Sequence, residues 1–249
     1  MKKLLLTGLG RSGTQWLVKL LREDPRVLVT HEWWKKRYVA LEPMHNRTVL
    51  LKQRSLDGSA AWEMDRMAAF DAMLAATDKE IYIEVNSKSR YFVPDLQLRH
   101  PEMEIIQLVR HGGDVVRSHY SRHTYKPNNV NGPLNPGPGN PHFGRWSGYD
   151  RFRKLCWMWA FTTDWIDKRV RDFVRFEDLL SDYSVLYWTI LQPYGVNISE
   201  ELWAERIGKR VDAHHHNFQI PRYPEWVGPM RAFYEETCGY MLQRFGYEV

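Results

Sequence analysis

The chain has 249 residues, of which 43% are hydrophobic, 26% charged and 14% aromatic, enough to bury a full core without disulfide or metal staples. Its two cysteines, Cys156 and Cys238, exclude a disulfide framework and offer no metal-ligand spacing, which fits a reducing, cytoplasmic setting. No run approaches the roughly 18 apolar residues that cross a bilayer, and the formal charge of +5 favours an anionic ligand or partner without naming it.

In chain order, Met1-Lys2-Lys3 followed by Leu4-Leu5-Leu6 mimics the start of a signal peptide. The apolar run stops at Thr7-Gly8 with Arg11 close behind, so residues 3–8 read as a first β-strand. A helix begins near Gly13, with Trp16, Leu17, Leu20 and Leu21 on one face and Lys19 and Arg22 on the other. Further strands are predicted near 26–30, 81–85, 104–109 and 172–176, and helices near 60–77, 113–123, 149–169, 183–192 and 229–245. Short apolar strands alternating with helices are the pattern of an α/β protein with a mostly parallel sheet. No linker or repeat divides the chain, so residues 1–249 read as one domain. Between Pro127 and Gly148 fifteen of twenty-two residues are Pro, Gly or Asn, the composition of a long loop, read here as a lid rather than an idle surface loop.

The strongest chemical signal is the turn Thr7-Gly8-Leu9-Gly10-Arg11-Ser12-Gly13-Thr14-Gln15-Trp16 between the first strand and the first helix. Glycines let the backbone close on an anion, and the helix N-terminus supplies unpaired N–H groups and partial positive charge. Gly8-x-Gly10-x-x-Gly13 is a dinucleotide fingerprint, and Glu32, nineteen residues after Gly13, stands where a ribose-binding acid is expected, so an NAD(P)-dependent oxidoreductase is one reading. A nucleoside-triphosphate P-loop is another, but Thr14 replaces its lysine and Gln15 its magnesium-binding hydroxyl. The segment Arg11-Ser12-Gly13-Thr14-Gln15-Trp16 resembles the phosphosulfate loop of the sulfotransferases that use 3′-phosphoadenosine 5′-phosphosulfate (PAPS), with the pattern Lys/Arg-Ser-Gly-Thr-x-Trp.

A second segment sets that resemblance apart from the rival motifs. Ile105 to Val109 reads as a strand ending at Arg110, followed by His111-Gly112-Gly113 and a helix that carries Ser118 eight residues after the arginine. It is similar to the sulfotransferase 3′-phosphate site. Phe173-Val174-Arg175-Phe176-Glu177-Asp178-Leu179 resembles the family's Arg-Tyr-Glu-Asp-Leu, taken as mainly structural, a strand end with acids leading a helix, and Ile83-Glu84-Val85-Asn86-Ser87 resembles a strand that brings an acid towards the acceptor. The ending Met241 to Tyr247 is similar too, so the resemblance runs from end to end. Gln15 stands where a second Thr is frequent, and His111-Gly112-Gly113 replaces the usual Asn/Asp-Pro-x, which bears on details of phosphate contact.

The resemblance implies a three-layer α/β/α fold with a P-loop-like turn and sulfuryl transfer from PAPS to a hydroxyl or amine, releasing adenosine 3′,5′-bisphosphate (PAP) without a metal. Arg11, Ser12, Gly13, Thr14, Gln15, Trp16, Arg110 and Ser118 would bind the donor, and Arg11 would neutralise the leaving phosphate. The base that takes the acceptor proton is Glu32, Glu84 or His31, all at strand ends that face the same crevice. A small-molecule or glycan acceptor is expected rather than nucleic acid, although a non-catalytic nucleotide or nucleic-acid binder remains an alternative. His214-His215-His216 lacks partners at zinc-like spacing, whereas Lys209, Arg210 and Arg222 stand in a basic region suited to assist the 3′-phosphate. Trp157, Trp159 and Trp165 read as helix packing, and Trp146, in the lid, as a ligand contact.

Overall fold

The computed structural model describes residues 1–32, 64–122, 124–127, 134–207 and 218–249. Five strands form one sheet: β1 (Lys2–Thr7), β2 (Val27–His31), β3 (Ile81–Val85), β4 (Glu104–Val109) and β5 (Asp172–Arg175). Their order is β2-β3-β1-β4-β5 and every pair is parallel. Each strand falls within a residue or two of its expected span; β1, β3 and β4, inside the sheet, are marked by the short continuous apolar runs of strands covered on both faces.

Side-chain alternation divides the core into two layers. On one face Leu4, Leu6, Ile81, Ile83, Val85, Ile106 and Leu108 meet α1 (Thr14–Leu21), α6 (Phe176–Ser181), α7 (Tyr183–Leu186), α8 (Gln192–Tyr194) and α9 (Glu200–Ile207). On the other, Leu5, Tyr82, Ile105 and Val109 meet α2 (Met64–Ala75), α3 (Val93–Arg99), α4 (Gly112–Tyr120), α5 (Arg151–Asp167) and α10 (Gly228–Arg244). The protein is therefore a three-layer α/β/α structure with a parallel sheet, as the resemblance implies.

Several elements lie outside the expectations from sequence. Helix α3 has seven residues, too few turns to leave a clear 3.6-residue pattern, and α9 buries only Trp203. The helix expected over 183–192 is interrupted by a π-helical turn at Tyr187–Leu191, just before Pro193, which has no N–H to continue the ladder. The lid composition does yield a long connection: residues 134–149 run through successive turns and one 3-10 turn, Trp146–Gly148. Trp146 wedges among Tyr125, Tyr149 and Trp157, and His142 Nδ1 lies 2.8 Å from the Tyr149 hydroxyl.

The approach to β2 is pinned by a buried carboxylate. Asp24 accepts hydrogen bonds from the Arg26 guanidinium (2.6 Å), the Arg26 N–H (3.0 Å) and the Asn197 N–H (2.7 Å), tying the turn to the loop between α8 and α9. Burial alone would push its carboxyl up, but these hydrogen bonds outweigh that effect and hold it below its ordinary value. A carboxyl lowered in the folded state stabilises the protein above the unfolded-state pKa, and the contribution fades as pH falls through the folded value. Asp24→Asn is expected to cost about 1–3 kcal/mol at neutral pH. The gap from wild type should narrow below about pH 4, and urea unfolding at neutral and acidic pH checks both parts.

Candidate functional site

β1 and β4 are neighbours, yet the chain leaves them towards opposite faces, α1 into one core layer and α4 into the other. That divergence opens a crevice at the carboxyl ends of the strands, where ligands gather in open α/β sheets. The glycine-rich turn forms one wall and the segment from Arg110 to His119 the other.

The turn is shaped by two left-handed residues, Arg11 (φ 79°) and Gly13 (φ 85°), a conformation that curls successive N–H groups into an anion-binding concavity. Gly13 is required twice, since a Cβ there would also stand 2.0 Å from the Phe176 ring. Ser12 and Thr14 are buried in the turn and Gln15 is exposed on the first turn of α1. Trp16 anchors the helix instead of facing the crevice. Its indole N–H donates to the Arg206 carbonyl (3.2 Å), its ring meets Phe176 edge-on at 5.9 Å, and its main-chain N–H donates to Gly13 (3.1 Å).

The opposite wall reaches the turn directly. Arg11 Nε donates to Ser118 Oγ (2.9 Å), Arg110 Nη1 donates to the Arg11 carbonyl (3.1 Å), and His119 Nε2 lies 3.0 Å from the Gly10 carbonyl. Arg110 also pairs with Asp114 at 3.2 Å, and its guanidinium lies 5.6 Å from the centre of the Phe176 ring. The two segments singled out in the sequence thus meet, with Arg11, Arg110 and Ser118 at their junction.

Behind Arg110 the Phe173–Leu179 motif has a role beyond leading a helix. Glu177 accepts the His111 main-chain N–H (3.0 Å) on one oxygen and the Tyr247 hydroxyl (2.7 Å) on the other, while Arg175 binds Asp178 and the Gly246 carbonyl. The ring of His111 accepts the Gly113 N–H on Nδ1 (3.2 Å) and packs on Tyr223 and Tyr247; burial lowers its pKa, outweighing Asp114 and Glu177. The Gly112-Gly113 pair answers to the same aromatic packing. A Cβ at Gly112 would lie 2.6 Å from the Tyr234 hydroxyl, and one at Gly113 2.6 Å from Tyr223 Cβ.

The three candidate bases differ sharply. Glu84 is 2% exposed and accepts from Thr30, from the Tyr82 hydroxyl (3.2 Å) and from Asn86 Nδ2 (2.6 Å), so both of its oxygens are engaged. Burial, together with Glu84, pushes the Tyr82 phenol well above its ordinary value. Glu32 is half-buried, has a left-handed backbone (φ 50°) and accepts the Ser87 hydroxyl at 3.2 Å. Ser87 Oγ lies 3.7 Å from where a Cβ on Gly10 would be, so one hydroxyl separates Glu32 from the turn. His31 ends β2, half-buried and in register with Val85.

Sequence reasoning missed Ser87, His119 and the buried Arg90, which donates to the Ser87 carbonyl. Ser87 closes the Ile83–Ser87 motif without a role assigned to it and His119 directly follows Ser118, but only strand pairing and helix placement turn them towards the turn. Of the remaining candidates, His214, His215, His216, Lys209 and Arg210 lie outside the described residues. The main-chain N–H of Arg222 donates to Glu225 (3.2 Å) at the head of the 3-10 turn Tyr223–Glu225. Trp157 and Trp159 are buried in α5, and Trp165 is partly buried against the same core. Among the described residues no cluster of three or more His, Cys, Asp or Glu side chains could hold a metal ion, and no helix is long and apolar enough to cross a membrane.

No family model matches the chain, and no curated protein matches it in sequence. Solved structures do. The sulfotransferase domain from the curacin biosynthetic pathway is 15% identical, with 99% of this chain and 98% of that one covered at a TM-score of 0.55. The sulfotransferase domain from the Synechococcus PCC 7002 olefin synthase is 16% identical, with 99% and 95% covered, also at 0.55. Both likenesses span the whole chain and establish that it has the sulfotransferase fold.

The packing around Gly13 is open to a controlled test, because Gly139 has a similar backbone (φ 88°) with nothing within 4 Å of its Cβ position. Gly139→Ala is expected to cost about 1–2 kcal/mol from backbone strain alone. Gly13→Ala should cost a further 1–3 kcal/mol, roughly, from the clash with Phe176. Urea unfolding of the two variants compares them, and equal losses would mean that the Phe176 ring yields without penalty.

Proposed function

We propose, on the premise of the sulfotransferase fold, that the residues 1–249 form one catalytic domain that moves a sulfuryl group from PAPS to a hydroxyl or amine, releasing PAP. The observation that carries this reading is the junction of Arg11, Arg110 and Ser118, where two anion-binding segments meet in one crevice. A donor with phosphate groups at both ends of its ribose suits two such segments, whereas a dinucleotide or triphosphate loop accounts for only the first. Both cysteines are free and buried, which supports a reducing, cytoplasmic setting.

The donor supplies an activated sulfuryl group on its 5′-phosphate. Arg110 and Ser118 hold the 3′-phosphate by charge-assisted hydrogen bonds. The N–H groups between Gly10 and Thr14, with the hydroxyls of Ser12 and Thr14, hold the 5′ end at the start of α1. Gln15, at the rim, can add a side-chain contact, and Trp16 keeps the helix in place. Arg11 provides positive charge for the phosphate oxygen that gains an electron pair as its bond to sulfur breaks. Of the three acids and bases, Glu32 suits proton removal: it is half-buried and one hydroxyl away from the turn. It takes the proton of the acceptor group as that group's oxygen or nitrogen forms its bond to sulfur. His31 is the alternative beside it. Glu84, enclosed and already accepting from three donors, serves to fix Thr30 and Asn86. The acceptor is a small molecule or a glycan rather than a nucleic acid.

Three measurements follow from these roles. PAP should raise the melting temperature much more than NAD or Mg-ATP, since a ligand specific to the folded state stabilises it by about 2.7 kcal/mol at a hundredfold excess over its Kd. A larger shift from NAD would replace this reading with the oxidoreductase. Arg110→Ala should weaken PAP binding by on the order of 2 kcal/mol through loss of a charge-assisted contact, whereas a surface nucleic-acid binder would show small, salt-dependent losses at every basic residue. Glu32→Gln should lower turnover roughly 10²-fold or more with PAP affinity nearly unchanged, and Glu84→Gln should lower stability instead. Normal turnover in Glu32→Gln beside a folded, inactive His31→Ala would move the proton to the histidine.

A further inference from the structure

We infer that His119 is a positioning residue: its imidazole holds the Gly10 carbonyl and so sets the direction of the Arg11 N–H in the anion-binding turn. The inference rests on the reading of that turn as the donor site.

His119 lies on the last turn of α4, one residue after Ser118, with Nε2 3.0 Å from the Gly10 carbonyl and Nδ1 3.1 Å from the Thr124 hydroxyl. A carbonyl oxygen can only accept, so the proton sits on Nε2; Nδ1 then carries a lone pair and accepts from Thr124. In the neutral ring the two contacts select the tautomer protonated on Nε2. Burial pushes the ring down to about 4, reinforced by the neighbouring cations Arg11, Arg90 and Arg122 and opposed by the Gly10 carbonyl. The frame around the ring is braced as well. Arg151, at the start of α5, donates Nε to the Thr124 carbonyl (2.7 Å) and Nη2 to the His119 carbonyl (3.1 Å).

The consequence for the turn follows from peptide geometry. A trans peptide is planar, with its N–H antiparallel to its C=O, and none of the described peptide bonds is cis. Holding the Gly10 carbonyl against His119 therefore aims the Arg11 N–H away from α4. Holding the Arg11 carbonyl against Arg110 does the same for the Ser12 N–H. Two consecutive peptide planes are fixed from outside, one by each side chain, around an Arg11 whose left-handed backbone is unfavourable for a non-glycine residue. Without His119 the first plane is free to rotate, and a donor N–H is lost from the concavity while Arg110 keeps its hold on the Arg11 carbonyl and Ser118 its bond to the Arg11 side chain.

That asymmetry makes the role separable from simple packing. Calorimetry would compare PAP, which engages both segments, with adenosine 3′-monophosphate, which has only the 3′-phosphate. His119→Phe keeps a ring and removes both hydrogen bonds; His119→Gln restores a donor near the Nε2 position. Expected for His119→Phe is at least a tenfold weaker Kd for PAP, about the worth of one buried hydrogen bond, with the monophosphate little changed and His119→Gln close to wild type. Unchanged PAP binding in His119→Phe, or an equal loss for both ligands, overturns the inference. The wild-type imidazole ¹⁵N shifts test the latch without any variant: a ring that keeps its proton fixed on Nε2 supports it, and a ring protonated on Nδ1 alone or a tautomer mixture refutes it. Wild-type protein that binds no PAP while showing that fixed tautomer would instead refute the donor reading and leave the latch standing.

Discussion

The turn after β1 cannot hold its own shape. Two of its residues adopt left-handed backbone, and its carbonyls would be free to rotate towards any anion that its N–H groups attract. The neighbouring segment prevents this, with His119 on the Gly10 carbonyl, Arg110 on the Arg11 carbonyl and Ser118 beneath the Arg11 side chain. The proposed sulfuryl transfer depends on this clasp, because preorganised N–H groups bind charge without reorganising when it arrives. The clasp also brings Arg11 and Arg110 together, the pairing on which the proposed binding of a multiply charged anion rests.

The clasp is supported from behind. Glu177 ties the residue after Arg110 to Tyr247 near the end of the chain, and Trp159 donates its indole N–H to the Arg110 carbonyl (3.3 Å). Around α4 the rings of Trp159, Tyr223, Trp226 and Tyr234 pack so closely that glycine is required at 112 and 113. Stability of the helical layer and alignment of the proposed anion site are thus one construction. A change in the α5–α10 packing would be felt at Arg110 through Trp159.

Much of this was legible in the sequence because it is local. Continuous apolar runs mark the parallel strands, three glycines with Arg11 mark the turn, and the eight-residue step from Arg110 to Ser118 marks the second segment. What was not legible depends on residues far apart in the chain: Arg11 and Ser118 are separated by 107 positions and Gly10 and His119 by 109. The bases show the same limit. Glu32 and Glu84 are both acids near strand ends, and only the pairing of β2 with β3, which brings Thr30 to the Glu84 oxygen that Tyr82 of the same strand also reaches while Asn86 takes the other, separates an enclosed acid from an approachable one. Short helices such as α3 were missed because seven residues do not establish a period.

The convergence of two anion-binding segments on one ligand is tested most directly by a crystal structure of the protein with PAP. Expected is the 3′-phosphate at about 3 Å from the Arg110 guanidinium and the Ser118 hydroxyl, with the 5′-phosphate on the N–H groups between Gly10 and Thr14. A bisphosphate seated elsewhere, or in the crevice with its 3′-phosphate touching neither Arg110 nor Ser118, would contradict it.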